Sequence, residues 1–146
     1  MLNSIDVMAK VGTKAKLEAR GGKVKKVRRQ PELEEQAALI EWADNTVIDG
    51  IRIGDYLIHI PNEGKRGPKA AIDAKRLGVR AGVPDLFLAL PRGGYAGLWV
   101  EMKSITGIPS SVQIKWMNKL ICEGYAVVLC HGFRRGKDSI MKYIAK

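Results

Sequence analysis

Two acids and a lysine stand at a spacing that suits metal-dependent chemistry. Asp85 follows a proline, and after fifteen intervening residues Glu101 and Lys103 stand two positions apart. Mg²⁺ and Mn²⁺ prefer carboxylate oxygens, and the backbone carbonyl of Met102 could add a further ligand. A bound cation lowers the pKa of its water and stabilises charge on a phosphate, while a nearby ammonium group neutralises the transition state. The set indicates hydrolysis of a phosphodiester, with Asp85, Glu101 and Lys103 catalytic and Asp85, Glu101 and the Met102 carbonyl as metal ligands.

Two apolar segments joined by a turn predict the strands that position these groups. The turn PRGGYAG connects the strand VPDLFLAL to the strand GLWVEMK, and its glycines suit positive φ. Because side chains alternate along a strand, Glu101 and Lys103 share one face. Pairing through the turn would bring Asp85 beside Glu101. Two carboxylates held so close repel each other unless a proton or a cation lies between them.

A second interpretation of this short pattern gives the three residues no catalytic role. Asp85 would only end a turn, and Glu101 and Lys103 would form a solvated pair at a sheet edge. The apolar content of both strands argues against an exposed edge. A basic stretch also precedes Asp85, as binding to a phosphate backbone requires. The side chains predicted to bind nucleic acid are Lys65, Arg66, Lys69, Lys75, Arg76 and Arg80.

The other elements complete a mixed α/β pattern. Acids fill the first turn of a helix that begins at Pro31, and apolar residues recur in it at helical spacing. Ser110 or Ser111 can cap a second long helix, which Gly124 ends. The remaining segments predict a strand DYLIHI, a short helix Ala70–Leu77, a buried strand YAVVLCH and a last helix from about Asp138. This order predicts an α/β fold with a small mixed central sheet flanked by helices.

The positive charge of the chain is concentrated at its N-terminus. Residues 1–30 hold nine Lys and Arg against Asp6 and Glu18, whereas residues 31–146 hold 16 basic and 13 acidic side chains. We therefore predict a basic, flexible arm at 1–30, with GGKVKKVRRQ as a linker, and a domain at 31–146. Such an arm suggests a polyanionic partner, and a solvated tail is the alternative.

Composition argues against several other classes of protein. No apolar run approaches the roughly 20 residues that a membrane helix needs, and the N-terminus has no signal-peptide pattern. The chain is therefore predicted to be intracellular, in the cytoplasm, and to bind no membrane. Cys122 and Cys130 belong to no cluster of Cys or His, so a zinc site is not expected. Both are predicted to be small core residues.

Five short motifs follow one another along the chain. They are NEG at 62–64, GVPD at 82–85, the Glu-x-Lys strand at 101–103, SSVQ at 110–113 and GYAVVLC at 124–130. Together they resemble the VRR-NUC domain, a branch of the PD-(D/E)xK nuclease superfamily common in phage and prophage proteins, over about residues 31–145. The resemblance implies a restriction-endonuclease-like αβββαβ core and a Mg²⁺- or Mn²⁺-dependent DNA endonuclease. It also implies branched or structured substrates such as Holliday junctions or flaps, a homodimer and, for a phage protein, the host cytoplasm.

The resemblance implies roles for further residues. Gln113 matches the glutamine that supports the catalytic site from the helix after the Glu-x-Lys strand, and an acid on the first helix completes the set. Glu32, four positions before Gln36, fits the family spacing, and Glu35 is the alternative. Acids in a first turn also complement the helix dipole without any catalytic role. Glu63 matches a family position, where it either lies near the metal or holds the turn after the strand.

Two other functions compete with the nuclease. The chain could be a basic nucleic-acid-binding module that keeps the fold without the chemistry, or an enzyme that acts on another polyanion. A pure binder has no need for two acids beside DNA, and without a metal ion they would weaken binding. The intact set of Asp85, Glu101 and Lys103 therefore favours the nuclease.

Overall fold

The computed structural model describes residues 16–20, 23–27, 31–62 and 67–146. Its first elements are the strands β1 (Lys16–Arg20) and β2 (Lys23–Val27), which pair in antiparallel fashion. The sequence predicted a flexible linker at residues 21–30, whereas the structure has the paired strand β2 within it.

The first helix, α1 (Pro31–Asp44), begins at the predicted proline and buries Leu39 and Ala43 completely. A short hairpin follows, with β3 (Val47–Ile48) and β4 (Ile51–Arg52). The sequence predicted only a connection here. The two residues between these strands, Asp49 and Gly50, both have positive φ, as a tight hairpin turn requires. A 3₁₀ turn (Ile53–Asp55) then leads into the central sheet.

The central sheet has four strands in the order β5-β6-β7-β8. They are β5 (Leu57–His59), β6 (Leu86–Leu88), β7 (Leu98–Lys103) and β8 (Ala126–His131). The first three strands are antiparallel, and β7 and β8 are parallel. The sheet is therefore mixed, which confirms the predicted fold class. With α1 in front and the helix before β8, the elements follow the expected αβββαβ order.

The predicted hairpin between β6 and β7 is present. Gly93 and Gly94 both have positive φ at its turn, and Arg92 pairs with Tyr95 across it. The turn sets the register in which Leu86 lies opposite Val100 and Phe87 lies opposite Trp99. The aromatic rings of this second pair stack with centroids 4.5 Å apart, which stabilises the register.

Helices cover both faces of the sheet. Besides α1, the described chain contains α2 (Pro68–Arg76), α3 (Ser111–Cys122) and α4 (Phe133–Ile144). Leu39 of α1 and Ile140 of α4 join the buried cluster of Val100 and Met102 on one face of β7. The opposite face of β7 carries Glu101, which α3 covers. No helix in the described parts of the chain combines the length and apolar character needed to cross a membrane.

Two predictions about the C-terminal half are wrong in detail. The last helix begins at Phe133 rather than near Asp138, because a carboxylate from α1 accepts a hydrogen bond from its first N–H. That partner lies 98 residues away, so no local capping signal marks the helix start. Cys130 is buried as predicted, whereas Cys122 is exposed because it ends α3 on the solvent side.

Candidate active site

Asp85 and Glu101 lie on adjacent strands and on the same face of the sheet. The register that pairs Leu86 with Val100 places Asp85 opposite Glu101 one step further along. Both acids are buried, with 7% of Asp85 and 1% of Glu101 exposed. The two carboxyl groups are close enough to interact, and this interaction lowers the pKa of Glu101. The placement is the one that the alternation of the two strands predicts.

The backbone of Met102 turns towards Asp85. The Oδ2 atom of Asp85 accepts a hydrogen bond from the N–H of Met102 at 2.8 Å. Because the N–H and C=O of one strand residue point to the same side, the carbonyl of Met102 also points to the Asp85 side of β7. The next carbonyl, of Lys103, points the other way and accepts from the N–H of Gly132. A main-chain oxygen therefore lies on the same side as the first acid.

One oxygen of Glu101 is satisfied and the other is not. Its Oε1 accepts a hydrogen bond from Gln113 Nε2 at 2.9 Å and lies 3.4 Å from Lys103 Nζ. Its Oε2 is buried and has no hydrogen-bond partner among the described residues. A buried oxygen without a partner is costly, and a bound cation would remove the cost.

The protonation of Glu101 reflects the same environment. Burial raises the pKa of this carboxyl to about 7, and the charge of Glu32 adds to the rise. The Lys103 ammonium group opposes the rise most strongly, and the interaction with Asp85 opposes it as well. In the metal-free chain the Glu101 carboxyl is therefore protonated about half of the time at pH 7, and a bound cation that replaced the proton would favour the charged form.

Gln113 connects the start of α3 to Glu101 of β7. Its Oε1 accepts from the N–H of Ser110 at 2.8 Å, and the Ser110 hydroxyl accepts from the N–H of Gln113, which makes a capping box. Since the amide oxygen is engaged at the cap, the amide nitrogen faces Glu101. Of the two predicted caps, the structure has Ser110.

The two candidate glutamates of α1 have different surroundings. Glu32 lies close enough for its charge to raise the pKa of Glu101. Glu35 points to another element, and its Oε2 accepts a hydrogen bond from the N–H of Phe133 at 2.5 Å. The structure thus brings Glu32 towards the acids and uses Glu35 to hold the start of α4.

A histidine contact behind Asp85 escaped the sequence analysis. The Nδ1 atom of His59 lies 2.9 Å from the carbonyl oxygen of Asp85 and 3.1 Å from Nε2 of Gln36. The sequence indicated only a core or edge histidine at this position. The available signal for this contact was the helical spacing of Glu32 and Gln36. That spacing places Gln36, which contacts the histidine, on the same side of α1 as Glu32.

The predicted nucleic-acid-binding residues are only partly within the described chain. Lys69, Lys75 and Arg76 lie exposed on α2, which buries no residue against the described chain. The guanidinium group of Arg80 donates to the carbonyl of Lys75 at 3.0 Å, so it also closes the end of α2. Predictions for Glu63, Lys65 and Arg66 lie outside the described residues.

The donor set suits a hard cation that keeps several waters. No compact group of three His, Cys, Asp or Glu side chains occurs in the chain as far as it is described. The site has instead two close carboxylates, an unpartnered Glu101 oxygen, a main-chain carbonyl and Glu32 further out. Mg²⁺ and Mn²⁺ are commonly bound by one or two carboxylates with water completing the shell, so the residues fit such an ion.

Comparison with known proteins identifies the family of this chain. The model of the VRR-NUC domain matches residues 30–134, which include Glu32, Asp85, Glu101 and Lys103. A solved structure described as a VRR_NUC domain protein is 31% identical, with 78% of this chain and 88% of that chain covered and a TM-score of 0.68. No curated protein matches significantly. The chain therefore belongs to the VRR-NUC family, a family of nuclease domains, which implies a need for a divalent metal ion and a DNA partner.

Proposed function

We propose that this protein is a Mg²⁺- or Mn²⁺-dependent DNA endonuclease of the PD-(D/E)xK type that cuts branched or structured DNA. The observation that carries the proposal is the buried, unpartnered Oε2 of Glu101 beside Asp85. Lys103 adds a cation at the same place, with its Nζ 3.4 Å from the other Glu101 oxygen. The two buried acids would hold the metal ion, and the lysine beside them would supply a positive charge. Phosphodiester hydrolysis needs these groups together.

The metal ion would be held by Asp85, Glu101 and the carbonyl of Met102, with Glu32 as a further acid. When bound, it supplies a more acidic water and stabilises charge on the phosphate. The protein positions these donors in advance. Asp85 is fixed by its bond to the Met102 N–H, and Glu101 is fixed by Gln113.

Lys103 is the cation that the chain itself contributes. Its side chain is 12% exposed, so it is shielded from bulk water yet reachable by a substrate. In a site of low dielectric, an ammonium group interacts strongly with charge that develops on a phosphate. Lys103 would orient the attacking water and neutralise the transition state.

DNA would approach over the basic segment before Asp85. The exposed Lys69, Lys75 and Arg76 of α2 offer phosphate contacts, with Arg80 near the end of that helix. Lys65 and Arg66 extend the basic segment in sequence. Such contacts bind any DNA, so they support affinity and make it salt-dependent.

Cutting a two-fold symmetric junction suits two active sites, and we propose that two copies act together. Analytical ultracentrifugation of the complex with a four-way junction measures the number of copies. One copy per junction in a preparation that cuts both strands would contradict a dimer.

A cleavage assay tests the proposed function. Four-way junction, flap, duplex and single-stranded DNA are incubated with Mg²⁺, Mn²⁺ or EDTA. We expect cleavage of branched DNA with metal only, and its loss in Asp85→Asn and Lys103→Met. Asp85→Asn keeps an oxygen for the Met102 N–H, so the fold should persist. Glu41→Gln, an exposed acid on α1, is the matched control. If the wild type cuts none of these DNAs, it is not this nuclease, and full activity of Asp85→Asn would refute the site.

A further inference from the structure

The loop directly after β7 carries two solvent-exposed isoleucines. Residues 104–110 join β7 to α3, and Ile105 and Ile108 are each 85% exposed. Single exposed apolar side chains are ordinary on protein surfaces. Here two of the most exposed ones share a single short loop, two and five positions after Lys103.

This loop is held in place at several points. The N–H of Gly107 donates to the carbonyl of Ser104 at 3.0 Å, and His131 Nδ1 lies 2.9 Å from that same oxygen. The capping box of Ser110 holds the far end. The loop therefore has a defined turn, and its two isoleucines project from it instead of packing against the core.

The loop lies at the catalytic end of the sheet. A Cβ at Gly107 would be 3.3 Å from Cβ of Lys103, so the turn rests against the catalytic lysine. Nearby, Gly82 is packed so closely under Val112 that a Cβ there would be 2.6 Å from a methyl carbon of the valine. Gly82 stands three residues before Asp85. The loop thus begins against the lysine, and the helix that follows it contacts the segment that leads into the first acid.

We propose that Ile105 and Ile108 pack against unstacked bases at a branch point next to the cut phosphate. The proposal rests on the proposed function and specifies its substrate: DNA in which a base face is already open. Apolar side chains that enter a base step stabilise the distorted form, but an intact duplex must first be unstacked. At a branch the bases have already lost stacking on one side, so less of it remains to be broken. Two isoleucines in this position would therefore favour branched DNA over plain duplex.

A second copy of the chain is a poorer occupant of this loop. Stable protein interfaces bury roughly 800 Å² on each partner, far more than two isoleucine side chains can supply. The chain also carries a net charge of +10, so a loop placed against DNA gains electrostatic attraction that a loop placed against a second copy does not. The exposed lysines and arginine of α2 add to the attraction for a polyanion.

Fluorescence and affinity in EDTA test the proposal without cleavage. A four-way junction and a matched duplex carry 2-aminopurine, at the branch in the junction and at the centre of the duplex. Binding of the wild-type protein should brighten the junction probe. In Ile105→Ser/Ile108→Ser we expect most of that signal to disappear and junction affinity to fall about tenfold, while duplex affinity stays within about twofold. Both residues are exposed, so the variant should fold normally.

Two controls separate this contact from general surface effects. Ile121→Ser removes an isoleucine that is 54% exposed near the other end of α3, about 15 Å from the helix start, and should bind like the wild type. Ile105→Leu/Ile108→Leu should keep the fluorescence response. Equal brightening by the serine variant and the wild type, or no brightening by the wild type, overturns the proposal. So does a changed sedimentation of the free serine variant, which would assign the loop to an interface between copies.

The outcomes also distinguish this proposal from the proposed nuclease function. A wild type that brightens the junction probe but cuts no DNA with metal would keep the base contact and refute the nuclease. A wild type that cuts branched DNA without any probe response would keep the nuclease and refute the base contact. A wild type that binds no DNA refutes both.

Discussion

The amide nitrogen of Gln113 donates to Oε1 of Glu101 at 2.9 Å, while the amide oxygen of Gln113 closes the cap of α3. One side chain thus begins a helix and orients a buried acid. Because both ends of the amide are engaged, the amide cannot flip without losing two hydrogen bonds. Glu101 is consequently held with Oε1 satisfied and with Oε2 unpartnered among the described residues.

Gln113→Met should weaken metal binding more than its effect on stability would suggest. The variant removes the donor to Glu101, and loss of such a supporting contact typically costs about 10- to 100-fold in metal affinity. Ser110→Ala is the matched control, because it also breaks the capping box but leaves the Gln113 amide able to reach Glu101. It should cost about 1 kcal/mol of stability and little affinity. Calorimetric titration with Mn²⁺ measures both, and equal affinities in the two variants would show that only the cap matters.

The metal-free protein should lose stability as the pH rises towards neutrality. Burial is the main reason that the pKa of Glu101 is raised from 4.5 to about 7 on folding. The folded state therefore holds the proton more tightly than the unfolded state, and this stabilisation is complete below pH 4.5 and lost as the pH rises through about 7. The difference amounts to about 3 kcal/mol.

Urea unfolding in EDTA at pH 5 and pH 8 measures this loss. Glu101→Gln carries no titrating group at the position, so its stability should change less between the two pH values. A saturating divalent cation should reduce the loss in the wild type, because it binds the ionised carboxylate. The interpretation fails if wild type and Glu101→Gln lose equal stability in EDTA.

The two candidate glutamates of α1, Glu32 and Glu35, should give different mutant phenotypes. Glu32→Gln removes a charge that acts on Glu101, so we expect weaker Mn²⁺ binding and lower cleavage with little change in metal-free stability. Glu35→Gln weakens the bond to the Phe133 N–H and should cost about 1–2 kcal/mol of stability, with cleavage retained in the folded protein. Thermal unfolding in EDTA and cleavage rates measured below the melting temperature provide the comparison. Loss of cleavage in Glu35→Gln but not in Glu32→Gln would reverse the assignment.

His59 should act by holding the backbone of Asp85. Its Nδ1 lies 2.9 Å from the Asp85 carbonyl oxygen, which also accepts from the N–H of Ile60. His59→Ala should lower metal affinity about tenfold, as loss of an outer contact commonly does. His59→Asn should restore most of it, since the asparagine amide can donate from a similar position. Failure of asparagine to rescue, with alanine equally impaired, would point to a role for the ring itself.

Local pattern was enough to predict the central geometry of the site. Alternation along β7 put Glu101 and Lys103 on one face, and the turn at Gly93 and Gly94 set the register that brings Asp85 opposite Glu101. The same local rules predicted α1, the cap of α3 and the mixed sheet. The β3–β4 hairpin was also local, and its Asp49-Gly50 signal was overlooked.

Tertiary packing alone decided which atoms of these residues have partners. Glu32 and Glu35 are both first-turn acids in sequence, and only the placement of α4 gives Glu35 a partner 98 residues away. The start of α4 at Phe133 has the same cause. The unpartnered Oε2 of Glu101 depends on α3 lying against that face of the sheet. Periodicity follows from backbone geometry within a few residues, whereas these contacts arise when apolar faces of distant elements are buried together.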